Sequence, residues 1–313
     1  KNGVTVLAFK KGDNNNPEIF RPITLQPIFC KVFTSIMKKR IFTFLCDNGY
    51  IDLNIQKGFW QDMSGSIEHN EALTYLINNA RNKQRSLVIS LIDLKNAFGE
   101  VNHRFLKAIL SYHHLPEHMV DLIFSLYNDC KISIATDNFL TNPIKVERGV
   151  LQGDSLSPLL FNMCFNSLMI TIKKERMKCL GHILTQFNNS KHWLQFADDT
   201  AIVTALPSDN QMLLNLFCKW SNWADLIIRV DKCHTFGIRK TSTMSTQYQP
   251  YLVINNEQIH PIEIGKSFTY LGKDFNFNMS CEHVKVDLRQ RVESYLSKIH
   301  HLPIHQTDKL KII

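Results

Sequence analysis

Long uninterrupted hydrophobic runs are missing from this 313-residue sequence. A membrane-spanning helix needs roughly 18 to 20 consecutive apolar residues. The longest apolar stretch, residues 158–172, is interrupted by Asn162 and Asn166. No signal-like segment opens the sequence, which does not start with Met. We therefore expect no membrane role and no secretion, and a nuclear or cytoplasmic location.

Paired cysteines are missing as well. The eight cysteines are scattered along the chain, and none has the close spacing of a zinc site or a redox centre. We expect them to be free thiols in a reducing compartment, where most fill small apolar spaces.

Acidic residues are the scarcer charge: 28 Asp and Glu face 36 Lys and Arg, which gives a net charge of +8. An anionic partner such as nucleic acid is therefore plausible, although a merely basic soluble protein would have the same balance. The length allows one large domain or two to three lobes. Because the chain stops at Ile313 within a helical pattern, we expect it to be part of a longer polyprotein with further domains.

The periodicity of apolar residues predicts an α+β fold. Helices are predicted over 28–45, 66–82, 103–128 with a break near Leu115 and Pro116, 210–223 and 284–299. Strands are predicted over 4–9, 86–92, 193–197, 200–205, 226–230 and 268–271, with a hairpin over 131–146. Residues 10–17 are predicted to be a basic turn at the tip of a hairpin, and a loop from 149 is predicted to lead to a helix with Pro158 in its first turn.

Carboxylates stand at the ends of these predicted strands. Asp93 ends one strand, and Asp198 and Asp199 lie at the tip of a hairpin about a hundred residues later. If the strands are neighbours in one sheet, the three side chains can hold two Mg²⁺ ions about 4 Å apart. The alternative is that the Asp pair only forms a hairpin turn, which is a frequent use of Asp.

Several stretches resemble the motifs of reverse transcriptases. Palm-like motifs are found at 93–98 (DLKNAF), 149–162 (GVLQGDSLSPLLFN) and 196–199 (FADD). Residues 20–25 (FRPITL) and 56–59 (QKGF) are similar to fingers motifs of non-LTR (LINE-like) retrotransposon enzymes. Residues 230–233 (VDKC) and 268–272 (FTYLG) are similar to motifs that close the palm.

The resemblance implies a right-hand polymerase with a mixed or antiparallel palm sheet. The fingers would span 1–85, the first part of the palm 86–112, and a connection between fingers and palm 113–148. The palm with its catalytic hairpin would span 149–275, and a truncated thumb would start at 276 and run to 313.

The resemblance also implies roles for individual residues. Asp93, Asp198 and Asp199 would be the metal ligands, and Phe98 would be the steric gate under the incoming sugar, which excludes a 2′-hydroxyl. Its alternative role is that of an ordinary core Phe. The resemblance further implies that Gln152 contacts the nucleotide or the template.

The remaining implied roles concern the nucleotide. Gly153 would let the backbone approach it. Arg21, with Lys11 or its neighbour Lys10, would clamp the triphosphate, unless these are only solvated surface charges. Lys232 would donate a proton to the leaving pyrophosphate.

Three positions depart from the pattern of the family. Gly99 stands where many relatives have Asp, but that residue is not a metal ligand, so activity is not in doubt. Arg229 stands where relatives often have Asn, and Asp225 where Gly is common. The last two departures weaken the role of Lys232 specifically.

The implied reaction is RNA-directed DNA synthesis, with nucleotidyl transfer from a dNTP to a primer 3′-hydroxyl. Two Mg²⁺ ions, or Mn²⁺ in their place, would be the cofactors. The partners would be an RNA template, a DNA primer and dNTPs. The alternatives are an RNA-binding scaffold descended from a polymerase, a mobile-intron maturase, and a viral RNA-copying polymerase.

Overall fold

The computed structural model of this protein describes residues 2–9, 13, 15–60, 63–136, 138–176, 192–280 and 282–301. The helices of this part are α1 (Ile28–Asp47), α2 (Gly65–Asn82), α3 (His103–Tyr112), α4 (Glu117–Tyr127), α5 (Ser157–Arg176), α6 (Pro207–Trp223) and α7 (Glu282–His300). The strands up to residue 240 are β1 (Asn2–Phe9), β2 (Phe20–Leu25), β3 (Leu87–Ile92), β4 (Lys131–Ala135), β5 (Ile144–Lys145), β6 (Trp193–Phe196), β7 (Asp199–Thr204) and β8 (His234–Lys240). The shorter strands after them are β9 (Ser245–Tyr248), β10 (Val253–Ile254), β11 (Glu257–Gln258), β12 (His260–Pro261), β13 (Phe268–Tyr270) and β14 (Lys273–Phe275).

One mixed sheet organises the centre of the molecule. Its strand order is β12-β8-β3-β7-β6, and β9 also pairs with β8, on the edge that faces away from β3. Strand β3 is antiparallel to both β7 and β8, whereas β12 is parallel to β8. The α+β class and the mixed palm sheet predicted from the sequence are confirmed.

Two hydrophobic clusters cover the opposite faces of this sheet. Val88 and Ile92 of β3 face the larger cluster, which also contains residues of α3, α5 and α6. Leu87 and Ile89 face the smaller cluster, which contains the buried side of α2. Because both faces of β3 are covered, its sequence is a continuous apolar run rather than an alternating one.

A second sheet joins two distant parts of the sequence. Its order is β2-β1-β4-β5, with β1 antiparallel to β2 and parallel to β4. The pairing of Phe9 with Phe20 confirms the hairpin predicted around the basic turn, of which residues 10–12 and 14 lie outside the described residues. The hairpin predicted over 131–146 is confirmed as β4 and β5.

The helix boundaries follow local sequence chemistry. The Asn102 side chain accepts a hydrogen bond from the Arg104 N–H at 2.8 Å and so caps α3. Pro207 lies in the first turn of α6, where a missing N–H costs nothing, and Pro158 occupies the same place in α5. Helix α6 therefore begins at Pro207, three residues before the predicted start at 210.

The strand predicted over 226–230 is wrong. Only a single bridge, between Leu94 and Ile228, forms there. Asp225 has a φ of 58°, which ends α6 in a left-handed residue, and the chain then enters a short 3-10 turn at 230–232. Leu226 of this segment is buried, whereas Ile227 is exposed, and the backbone of the segment binds residues 93–95, just after β3. The strand that pairs with β3 on the side away from β7 is β8.

The last described helix, α7, falls where the start of a thumb is predicted. Leu288, Val292 and Tyr295 lie exposed on it, and residues 302–313 lie outside the described part of the chain. The predicted boundaries between fingers, palm and thumb stay predictions. In the described ranges, no helix is both long enough and apolar enough to cross a membrane.

Asn210 fixes α6 on the central sheet, and its loss should destabilise the fold. Its side chain is fully buried, accepts from the Ser90 hydroxyl at 2.6 Å, and donates to the Val88 and Ile202 carbonyls at 3.3 and 3.4 Å. Replacing Asn210 with Ala removes these three buried hydrogen bonds, so we expect a loss of about 1–3 kcal/mol in unfolding free energy.

Urea denaturation measures this loss. Asn215→Ala is the matched control, since Asn215 is an exposed residue of the same helix. Equal stability of the Asn210 and Asn215 variants would contradict this role.

Candidate active site

The register between β3 and β7 brings the predicted carboxylates together. The ladder between β3 and β7 ends at the pair Ile92 and Thr200. Asp93 directly follows Ile92 and Asp199 directly precedes Thr200, so both carboxylates stand at the same end of two neighbouring strands. Two carboxylates that are distant in sequence thus become cross-strand neighbours.

Asp198 is placed by a tight turn between β6 and β7. Phe196 pairs with Asp199, which leaves Ala197 and Asp198 as a two-residue loop. Ala197 has a φ of 54°, a left-handed value that is costly for any residue with a Cβ. The turn holds Asp198 half-buried and leaves Asp199 exposed.

The side chains of Gln56 and Gln195 bind the backbone of this turn. The Ala197 N–H donates to Gln56 Oε1 at 2.8 Å, and Gln56 Nε2 donates back to the Ala197 carbonyl at 3.2 Å. Gln195 Nε2 donates to the same carbonyl at 2.6 Å. The amide group of Gln56 therefore binds both backbone polar groups of the strained residue.

The backbone of Asp93 is tied to the segment that resembles VDKC. The Arg229 N–H donates to the Asp93 carbonyl at 2.9 Å, and the Asp93 N–H lies 3.5 Å from Cys233 Sγ. Burial, together with the nearby charge of Asp93, raises the pKa of the Cys233 thiol to about 12. Cys233 is therefore a neutral, packed thiol beside the site. Lys232 precedes it with an exposed side chain.

The departure at Asp225 has a structural explanation. Asp225 has the left-handed φ that favours the glycine of relatives. Its carboxylate accepts from Arg148 Nη2 at 2.8 Å, and the same guanidinium donates to the Glu100 carbonyl at 2.8 Å. Arg148 thus joins the segment after Phe98 to the segment before Lys232.

Phe98 is half-buried with one face of its ring covered. It stacks on the fully buried Phe161, with ring centroids 4.2 Å apart and an angle of 9° between the planes. Phe59 meets it edge-on at 5.7 Å. The ring is therefore fixed in orientation by its neighbours, as a steric gate requires.

The loop at 149–154 is attached to both Phe98 and β2. The Val150 N–H donates to the Phe98 carbonyl at 2.8 Å, and the Thr24 N–H donates to the Gln152 carbonyl at 2.7 Å. Gly153 has a φ of 113°, and a Cβ there would collide with the Thr24 carbonyl oxygen. Glycine is thus required at 153 by the approach of the protein's own backbone.

Of the predicted phosphate-binding cations, the structure describes Arg21, which lies on β2. Arg21 is exposed on this strand, opposite Ala8 of β1. It lies three residues before Thr24, which contacts the Gln152 loop. Lys11 and Lys10 lie outside the described residues.

The carboxylates of Asp93, Asp198 and Asp199 suit divalent cations, both by their chemistry and by the position of their backbone. Within the described ranges, no three His, Cys, Asp or Glu side chains already form a metal-binding cluster. Asp93 and Asp199 nevertheless lie at the same end of two neighbouring strands, with Asp198 adjacent. Carboxylate oxygens are the ligands that Mg²⁺ and Mn²⁺ prefer in proteins.

Three supporting residues were not singled out from the sequence. Gln56 lies within the recognised QKGF stretch, but its contact with Ala197 spans 141 positions and has no local signature. Gln195 directly precedes the FADD stretch. Arg148 directly precedes the loop that begins at Gly149. Proximity to the recognised motifs is the signal that could have marked the last two.

Among solved structures, telomerases have a similar fold. The apo telomerase of Candida tropicalis, truncated of its C-terminal domain, matches 89% of this chain and 54% of that chain, with a TM-score of 0.54 at 13% identity. Such a low identity shows the fold alone, and it confirms the right-hand polymerase fold expected from the sequence.

Comparison of sequences gives retrotransposon proteins. The chain is 24% identical over 312 residues to the retrovirus-related Pol polyprotein of the type-1 retrotransposable element R2 of Nasonia vitripennis, covering 99% of this chain and 29% of that protein. It is also 24% identical to the Pol polyprotein of the type-2 element R2DM of Drosophila melanogaster, covering 87% of this chain and 25% of that one. The chain thus spans about a quarter to a third of these relatives.

The model of the family described as reverse transcriptase (RNA-dependent DNA polymerase) matches residues 9–275. This range includes every element that carries the candidate site, from β2 to β14. The chain therefore belongs to the reverse transcriptase family, as a reverse transcriptase domain of the non-LTR retrotransposon kind.

Proposed function

We propose that this chain copies an RNA template into DNA, adding dNTPs to a primer 3′-hydroxyl with two Mg²⁺ ions, or Mn²⁺, held by Asp93, Asp198 and Asp199. The observation that carries the proposal is the β3–β7 register, which brings Asp93 to the same end of the sheet as Asp199 and the Asp198 turn. Reverse transcriptases generally use divalent metal ions. A scaffold would have no need to retain three carboxylates there.

The partners follow from the family and from the charge. The relatives are Pol polyproteins, of which this chain covers a part, so further domains of a polyprotein are proposed as partners. A telomerase of similar fold, with a TM-score of 0.51, is described in complex with a fragment of telomeric RNA. Together with a net charge of +8, this supports an RNA template and a DNA primer as partners. A nuclear or cytoplasmic location is proposed as well.

The carboxylates and Lys232 would have separate roles in the reaction. When bound, the divalent ions would activate the 3′-hydroxyl and stabilise the charge on the leaving pyrophosphate. Asp93, Asp198 and Asp199 would hold these ions where β3 ends beside the β6–β7 hairpin. Lys232, on the segment hydrogen-bonded to Asp93, is proposed to donate a proton to the pyrophosphate.

The nucleotide would lie between β2 and the gate. Arg21 and Lys11 are proposed to bind its triphosphate, because a guanidinium and an ammonium both pair with phosphate oxygens. Gln152 and Gly153 are proposed to contact it from a loop that is hydrogen-bonded to β2. The ring of Phe98, backed by Phe161, would exclude a sugar that carries a 2′-hydroxyl.

Replacing Asp198 with Asn should abolish synthesis without weakening template binding. The change removes a charged ligand and adds no bulk, so we expect primer extension on an RNA template to fall at least about 100-fold. The measurement is single-nucleotide extension with dNTPs and Mg²⁺, beside a primer–template binding assay.

Asp121→Asn is the control for this change. It is the same substitution at an exposed position on α4 and should leave extension unchanged. Near wild-type extension by the Asp198 variant would refute the site. Nucleic-acid binding with no extension by the wild-type chain would favour the scaffold alternative.

Replacing Phe98 with Val should relax the selection of the sugar. The smaller side chain opens space under C2′ while the carboxylates stay in place. We expect the ratio of kcat/KM for a dNTP to that for the matching NTP to fall by roughly 10-fold to 100-fold. The measurement uses one primer and one RNA template for both nucleotides.

Phe124→Val controls for the loss of aromatic packing. Phe124 is also half-buried and contacts the ring of His103 from α4, so its loss should leave the sugar preference as it is. An active Phe98 variant with an unchanged ratio would make Phe98 an ordinary core residue.

A further inference from the structure

The turn that carries Asp198 is held by a side chain from a distant part of the sequence. Gln56 is 4% exposed, and its amide oxygen and nitrogen both bind the backbone of Ala197, at 2.8 and 3.2 Å. Ala197 immediately precedes Asp198. A glutamine bound in this way fixes the orientation of both peptide groups of one residue.

Ala197 needs such support because of its conformation. A φ of 54° is disfavoured for Ala by the contact of its Cβ with the backbone. The two-residue turn between β6 and β7 forms only if this residue adopts a positive φ. If Ala197 relaxed to a negative φ, the direction of the following carboxylates would change.

Gln56 is itself held in place from several sides. The Gly58 N–H donates to Gln56 Oε1 at 2.9 Å, and Trp60 Nε1 donates to the Gln56 carbonyl at 2.7 Å. Asn162 Nδ2, from α5, donates to the Gly58 carbonyl at 2.7 Å. A Cβ at Gly58 would collide with the Ala197 backbone nitrogen, so only glycine lets this segment lie against the turn.

We infer that Gln56 is a positioning residue, which holds the Ala197–Asp198 turn in the strained conformation that directs the metal-binding carboxylates. It reaches no reacting group itself and acts through the turn. The inference rests on the proposed function, since it assigns to Gln56 a part in the same site. A loosened turn should slow the chemical step more than it weakens nucleotide binding.

Gln56→Met tests the inference, because Met keeps the length of the side chain and removes both hydrogen bonds. We expect kcat for primer extension to fall about tenfold, with the KM for dNTP changed by less than about twofold. The Mg²⁺ concentration for half-maximal rate should rise. Amide exchange of the peptide covering 194–200, measured without metal or substrate, should speed up, while that covering 234–240 should not.

Gln211→Met is the matched control. Gln211 makes the same two-bond contact with a single residue, since its Nε2 donates to the Val253 carbonyl at 2.8 Å and its Oε1 accepts from the Val253 N–H at 2.9 Å. Val253 lies on β10, outside the central sheet. This variant should lose stability without the change in kcat or in exchange at 194–200.

Ala197→Gly provides the rescue. Glycine adopts a positive φ without a Cβ penalty, so the turn should form with less dependence on Gln56. The double variant Gln56→Met with Ala197→Gly should recover part of the lost kcat, measured against Ala197→Gly alone. A purely structural role for Gln56 would show no such coupling.

The outcomes separate this inference from the proposed function. If the wild-type chain does not extend primers, the proposed function fails. If it does, and Gln56→Met matches Gln211→Met in kcat and in exchange at 194–200, the inference alone is overturned. Should Gln56→Met not fold, Gly58→Ala, which pushes on the same backbone nitrogen, must give faster exchange at 194–200 for the inference to stand.

Discussion

The antiparallel register between β3 and β7 is the constraint on which the site depends. A slip of one residue would move Asp199 to the other face of the sheet, away from Asp93. The register is fixed because both faces of β3 are packed, with Val88 and Ile92 on one side and Ile89 on the other. The packing of the core therefore determines whether the carboxylates meet, so fold and chemistry cannot be separated here.

The contacts around this register form a second layer of support. Gln56 and Gln195 hold the hairpin turn, and Arg148 joins the segment after Phe98 to the segment before Lys232. Phe161 supports Phe98 from within the core. Gln56, Gln195 and Phe161 are buried, whereas Arg148 is exposed, and the three polar side chains bind backbone atoms of neighbouring segments. Strain at Ala197 is thus balanced by hydrogen bonds from outside the turn.

The sequence was sufficient for much of this arrangement. The continuous apolar run of β3, the hairpin around Asp198 and the helices followed from periodicity, and the motifs predicted the polymerase fold. It was insufficient where long-range contacts decide. The segment 226–230 has the composition of a strand, yet its hydrogen bonds go to residues 93–95, and β8 takes its place. The reach of Gln56 to Ala197 likewise depends on packing that no local pattern encodes.

The central claim is that the end of β3 and the β6–β7 turn form one metal site. Localised backbone cleavage tests it most directly: Fe²⁺ with ascorbate and peroxide is added to the complex with RNA template, DNA primer and dNTP, so that radicals cut the chain beside the bound ion. The account predicts paired cuts next to Asp93 and within 197–199, suppressed by Mg²⁺ and both lost in Asp93→Asn. Cuts at one segment without the other, or cuts at 197–199 that survive Asp93→Asn, would contradict it.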